Sequence, residues 1–100
     1  MIIWDDGSED GTGKYCNYLE DSRIRYFWHE NQGVAAARNQ AIAQSSGFYL
    51  AFLDSDDEWL PEKLMNQMSF IYSQPSLEFI FGNFRNVNLL SDKTTIAFDD

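Results

Sequence analysis

The stretch LAFLDSDDEW (residues 50–59) carries Asp54, Asp56, Asp57 and Glu58, four carboxylates in five residues directly after an apolar run. Carboxylates crowded this closely repel one another and need a cation or hydrogen-bond donors to compensate. A hard divalent ion, Mg2+ or Mn2+, is the natural partner for such oxygens. A second acidic pair, Asp5 and Asp6, follows the short apolar run MIIW. Asp is also an ordinary turn residue and helix N-cap, and Asp57 or Glu58 would suit a helix starting near Pro61. That reading accounts for one acid, but not for DSDD at the end of a fully apolar segment.

Two other uses of clustered acids fail on spacing. In a calcium loop beginning at Asp6, Ser8, Asp10 and Gly11 fall on the required positions, but the bidentate Glu that closes the loop is replaced by Asn17. The segment before Asp6 also reads as a strand, where that loop needs a helix. A receiver-type phosphotransfer domain needs a lone phospho-acceptor Asp and a later Lys, and no Lys stands at a suitable strand end after residue 77.

Composition narrows the partners. The formal charge is -9 with no Lys/Arg stripe, which excludes a duplex nucleic-acid binder, because phosphate contacts need clustered cations. An acidic chain that handles an anionic ligand needs a metal ion between them. With 44% hydrophobic and 16% aromatic residues the chain is not a disordered acidic tail, and 100 residues suffice for one small domain. Cys16 is the single cysteine, expected as a half-buried helix residue. The segment MIIWDDGSED lacks the basic and long apolar regions of a signal peptide, and no apolar run reaches the ~20 residues of a membrane span. The expected location is cytoplasmic, with peripheral attachment at the inner membrane face as an extension.

Stepping out from the acids, MIIW (1–4) reads as a buried strand that hands Asp5 and Asp6 to the loop DDGSEDGTG. Residues 13–20 suit a short helix with Tyr15, Tyr18 and Leu19 inward, and RIRYFWH (23–29) alternates like a strand. The Ala-rich GVAAARNQAIAQSSG (33–47) predicts a helix stopped at Gly47. FYLAFL (48–53) is apolar throughout and predicts a central strand buried on both faces. Residues 61–75 predict a helix with Leu64, Met68, Ile71 and Tyr72 on one face, and LEFIFGNF (77–84) a further strand. Residues 85–100 read as a loop with at most one weak strand. The order β-α-β-α-β-α-β argues for one α/β domain over residues 1–100, a three-layer sandwich with a mainly parallel sheet. Ligands of such sheets bind at the carboxyl ends of the strands, where both acidic loops fall.

IIWDDGSEDGT, followed by HENQGVAAARNQAIAQSSGFYLAFLDSDDEWLPEKL, resembles the nucleotide-binding half of a family 2 (GT-A type) glycosyltransferase. The family blocks DDGS-x-D-x-T, N-x-G-x-x-x-ARN and FLD-x-DD occur in order and at the usual spacing over roughly residues 2–64. The resemblance implies a nucleotide-diphospho-sugar transferase fold, a UDP-sugar or similar donor, a glycan acceptor and a role in polysaccharide biosynthesis. It implies that Asp5 and Asp6 contact the base and ribose, that Arg38 lies beside the base or phosphate, and that Asp54 joins the donor site. Asp56 and Asp57 match the metal-binding DxD-type motif that grips the diphosphate through Mg2+ or Mn2+. A metal at that point stabilises the charge left on the leaving diphosphate. Gly33 is expected to permit close approach before the Ala-rich helix. Asn31 and Asn39 suit loop and cap hydrogen bonding, His29 a strand end, and Trp59 the packing at a helix start.

The resemblance is incomplete at both ends. The family's first strand and helix, a VSVIIPTYN-like segment, have no counterpart before Met1. That strand normally lies between the strands represented here by MIIW and FYLAFL. The expectation is that these two pair directly, or that a second copy of the chain completes the sheet and gives a homo-oligomer. No residue matches the family's general base, so the catalytic residue stays unassigned; Asp99 and Asp100 are candidates by composition alone. The competing reading is a catalytically inactive remnant that folds by self-association.

Overall fold

The structure is a computed structural model of the chain, and it describes residues 1–91 and 93–96. The chain divides into two units, Met1–Phe52 and Leu53–Asp100.

The first unit is built on two parallel strands, β1 (Ile2–Asp5) and β2 (Arg25–Trp28), in the register Ile2 to Arg25 through Asp5 to Trp28. The ladder extends at both ends, with Arg25 N–H donating to the Met1 carbonyl and His29 N–H to that of Asp5. Helix α1 (Thr12–Tyr18) joins the strands and packs on β2, and α2 (Val34–Gln44) packs on β1. Asp10 fixes the start of α1, its carboxylate accepting from the Thr12 N–H at 2.9 Å and from the Thr12 hydroxyl. The Ala-rich α2 ends near Arg25, whose guanidinium donates to the Gln44 carbonyl at 3.0 Å and to its side-chain Oε1. A cation at that position favours the negative end of the helix dipole. Trp4 stacks on Phe27 with ring centroids 5.5 Å apart, tying the two strands on one face.

The second unit holds α3 (Lys63–Ser73) and the antiparallel pair β3 (Arg85–Asn88) and β4 (Lys93–Ile96). These two strands pair where the sequence suggested a loop with at most one weak strand. Along α3, Met68 and Ile71 are half-buried while Leu64 and Tyr72 are exposed, so the expected apolar face is only partly covered.

Several expectations need correction. FYLAFL (48–53) and LEFIFGNF (77–84) form no strands, and among the described residues β1 is hydrogen-bonded to β2 alone, so direct pairing with FYLAFL does not occur. The reason is physical: an apolar run becomes a strand only when another strand takes up its backbone donors and acceptors. Phe48 is left 93% and Leu50 47% exposed. The parallel sheet is accordingly two-stranded among the described residues, smaller than the expected sandwich. Helix α2 stops at Gln44, before Gly47, because Ser45 turns to an extended conformation with its hydroxyl on the Ile42 carbonyl at 2.7 Å. Tyr15 and Tyr18 on α1 face outward, and Cys16 is half-buried as expected. Asp99 and Asp100 lie outside the described residues.

Candidate functional site

In the first unit the carboxyl ends of β1 and β2 bring together two loops, Asp5–Ser8 and residues 29–33. The contacts between them are dense. Asp6 accepts the Gln32 N–H on one carboxylate oxygen at 2.8 Å and the Gly33 N–H on the other at 2.9 Å. Gln32 and Gly33 immediately precede α2, so the carboxylate satisfies N–H groups at the positive end of that helix. Gly33 holds φ +93°, a conformation that glycine adopts without penalty, and a Cβ there would meet only open space. Its need for glycine therefore comes from the backbone turn, not from the close approach expected. The close approach is at Gly7, also at φ +93°, where an added Cβ would lie 2.9 Å from the Asn31 backbone nitrogen.

Asp5 is buried, with 6% of its surface exposed. One of its oxygens accepts the Ser8 N–H at 2.8 Å, and the other accepts the Tyr26 hydroxyl at 2.5 Å. Burial raises the Asp5 pKa, but the hydrogen bonds from Tyr26 and Ser8 outweigh it and hold the carboxyl below its ordinary value. The same contact pushes the Tyr26 pKa up to about 12, first through its hydrogen bond to Asp5 and further through burial. The Trp28 ring N–H donates to the Ser8 carbonyl at 3.1 Å, and the His29 ring stacks beside Trp4 at 6.3 Å. Tyr26, Trp28 and Gln32 thus help to build this edge beside Ser8 of the DDGS block, and motif spacing did not single out those three. Tyr26 and Trp28 share one face of the alternating strand, the available signal for Tyr26; the backbone donors of Gln32 and Gly33 leave none.

Arg38 is exposed on α2, one helical turn and more past Gly33. Asn31 is exposed beside Gly7, and Asn39 is exposed on α2. A hollow of about 420 Å3 opens beside the α1–β2 connection, lined by Cys16, Glu20, Asp21 and Ile24 among others. It lies at the amino end of β2, and two acids in its wall suit an anionic ligand poorly.

In the second unit Asp54, Asp56 and Asp57 lie on one exposed turn, closed by the Asp57 N–H donating to the Asp54 carbonyl at 3.1 Å. Exposure to water, which screens like charges, explains how four neighbouring acids coexist there. Among the described residues no three His, Cys, Asp or Glu side chains converge on a point that could hold a metal ion. Mg2+ commonly binds through one or two carboxylates with phosphate oxygens and water completing the shell, and two exposed Asp on a short turn fit that pattern. Trp59 is half-buried next to the turn, with the Lys63 ammonium 4.4 Å from its ring centre.

Comparison with known proteins gives this geometry a context. Residues 1–94 match the family described as glycosyl transferase family 2. Over 89 residues the chain is 38% identical to the UDP-Glc:alpha-D-GlcNAc-diphosphoundecaprenol beta-1,3-glucosyltransferase WfgD of Escherichia coli, a match covering 88% of this chain and 35% of WfgD. It is 44% identical over 87 residues to TuaG of Bacillus subtilis (strain 168), a protein named for a glycosyltransferase role in teichuronic acid biosynthesis, covering 84% of this chain and 34% of TuaG. The glucosyltransferase WfaP of Escherichia coli is 40% identical over 85 residues, covering 84% of this chain and 34% of WfaP. The chain thus spans about a third of the length of each of these three relatives. No solved structure matches it. The acidic loops, the Ala-rich helix and the DSDD turn all fall within the matched residues, and the chain belongs to glycosyl transferase family 2.

Proposed function

We propose that this chain is the donor-binding part of a glycosyltransferase that moves a sugar from a nucleotide-sugar, a UDP-sugar, to a glycan or lipid-linked acceptor in polysaccharide biosynthesis. The observation that carries the reading is the Asp5–Ser8 loop, held at the carboxyl end of a parallel strand pair by Asp6 on two backbone N–H groups. Nucleotides bind at such strand ends. In this reading the Asp5/Asp6 edge receives the base and ribose, a carboxylate being able to accept a ribose hydroxyl or a base N–H. Arg38 lies beside the base or phosphate, and Asp54 completes the nucleotide contacts. Asp56 and Asp57 hold Mg2+ or Mn2+, which when bound offsets the charge that develops on the diphosphate leaving group. The general base that takes the acceptor's proton is unassigned.

The proposal extends to location: cytoplasmic, peripheral at the inner face of the membrane. The lipid-linked acceptor in the name of WfgD supports it. None of the described helices is long and apolar enough to cross a membrane. It extends also to assembly as a homo-oligomer that completes the sheet, supported by the exposed apolar segment 48–53.

Calorimetric titration of UDP in the presence of Mn2+ tests the donor site, comparing the wild type with Asp56→Ala. Binding that requires the metal and weakens at least about tenfold in the variant is the expected result. UDP binding that ignores both the metal and the substitution contradicts the assignment of Asp56.

A further inference from the structure

Resting on the donor-site reading above, we propose that Tyr26 is a positioning residue for the nucleotide, acting through Asp5 without touching the ligand. Three observations converge on it. The Tyr26 hydroxyl donates to Asp5 at 2.5 Å, and that acid is 6% exposed with its other oxygen already on the Ser8 N–H. The hydroxyl is boxed from the α1 side as well, since a Cβ added at Gly13 would lie 3.1 Å from it. The loop that Asp5 anchors continues through Asp6, whose carboxylate is half-buried and holds the start of α2. Asp5 is therefore an internal junction between β1, β2 and the loop, while Asp6 stands at the edge a ligand can reach. Removing the Tyr26 hydroxyl leaves one Asp5 oxygen buried without a donor, so the carboxylate rotates and the Ser8 end of the loop loosens.

The partners of the two acids predict an asymmetry between their amide variants. At Asp5 one partner is a hydroxyl, which accepts as readily as it donates. In Asp5→Asn the amide N–H can donate to the Tyr26 oxygen while the amide oxygen keeps the Ser8 N–H. At Asp6 both partners are backbone N–H groups, so Asp6→Asn must set an N–H against an N–H and lose half of its grip. A carboxylate that worked by direct charge contact with the ligand would show no such tolerance at Asp5.

The test compares two probes, UDP with Mn2+ and inorganic pyrophosphate with Mn2+, titrated into wild type, Tyr26→Phe, Asp5→Asn and Asp6→Asn, with circular dichroism as the check on folding. The expected result is UDP binding weakened about tenfold in Tyr26→Phe with pyrophosphate binding unchanged, and a smaller loss of UDP binding in Asp5→Asn than in Asp6→Asn. Equal UDP binding by folded Tyr26→Phe overturns the proposal. So does a parallel loss of both probes, which marks general loosening of the fold, and so does an Asp5→Asn loss as large as that of Asp6→Asn. Should Tyr26→Phe fail to fold, the order of the two amide variants decides: a smaller UDP loss in Asp5→Asn than in Asp6→Asn supports positioning, and an equal or larger one overturns it. A wild type that binds pyrophosphate but not UDP removes the nucleotide reading and this proposal with it, a result distinct from the variant-specific ones.

Discussion

At the scale of single residues, the acidic pair at the end of β1 has two different tasks. Asp6 grips two N–H groups ahead of α2, and Asp5 is a buried junction shared by Ser8 and Tyr26. The sequence makes the pair conspicuous, because two acids stand together directly after the apolar run MIIW. It does not distinguish them, because their partners are backbone amides and a tyrosine more than twenty positions away. The Tyr26–Asp5 contact has a measurable pH signature. Tyr26 has its pKa raised from 10.0 to about 12, so its contribution to stability is complete below pH 10 and is lost as pH rises towards 12. The depressed Asp5 value acts at the other end, with stability complete above the ordinary carboxylate pKa of 3.8 and lost as pH falls through the lowered one. Urea unfolding of wild type against Tyr26→Phe should therefore show a difference of about 1.5–3 kcal/mol at neutral pH, the worth of a hydrogen bond to a charged group. That difference should shrink between pH 10 and 12; one that stays constant would mean that the hydroxyl stabilises by some other route.

At the scale of elements, the β1–α1–β2–α2 run was legible because each piece satisfies its own local rule. The strands are short and apolar or alternating, the second helix is rich in Ala, and the turns carry Gly and Asp. The observed bounds differ from the expected ones by one to three residues at most ends, as where Ser45 ends α2 ahead of Gly47. FYLAFL was misread for a reason its own residues cannot reveal, since a strand depends on a neighbour as well as on its own propensity. The pairing of β3 with β4 was missed because their polar residues, as in KTTI, have no apolar alternation strong enough to announce it. Loop packing at the site also escapes sequence reading, and Gly7 is the sharpest case. Gly7→Ala places a Cβ 2.9 Å from the Asn31 nitrogen in a backbone conformation, φ +93°, that only glycine adopts freely. The variant should lose about 2–3 kcal/mol of stability by urea denaturation, more than Gly11→Ala, whose Cβ meets nothing within 4 Å. Equal losses at the two glycines would show that the two loops do not pack as described.

At the scale of the whole molecule, the described residues include no fully buried hydrophobic side chain, while Phe48, Leu50, Phe52 and Leu53 stand exposed in sequence. A run of large apolar groups in water favours association, because covering it removes apolar surface from solvent. Size-exclusion chromatography with light scattering should accordingly find a species of at least twice the 11.6 kDa chain mass, and Phe48→Ser with Phe52→Ser should shift it towards the monomer. A monomeric wild type at micromolar concentration would speak against assembly through this segment. The family was legible from three acidic and glycine-containing blocks in order, whereas the carboxylate arrangement of the donor site depends on loops whose partners are remote in sequence. The proposed function assigns the nucleotide to the strand-end loops of the first unit and the metal ion to the DSDD turn of the second. Its most direct test is a titration of 15N-labelled chain with Mg2+ and UDP, followed by amide chemical shifts. The largest changes are expected on residues 5–8, 29–33 and 54–58. Changes confined to the hollow lined by Cys16, Glu20 and Asp21, or no changes at millimolar UDP, would contradict it.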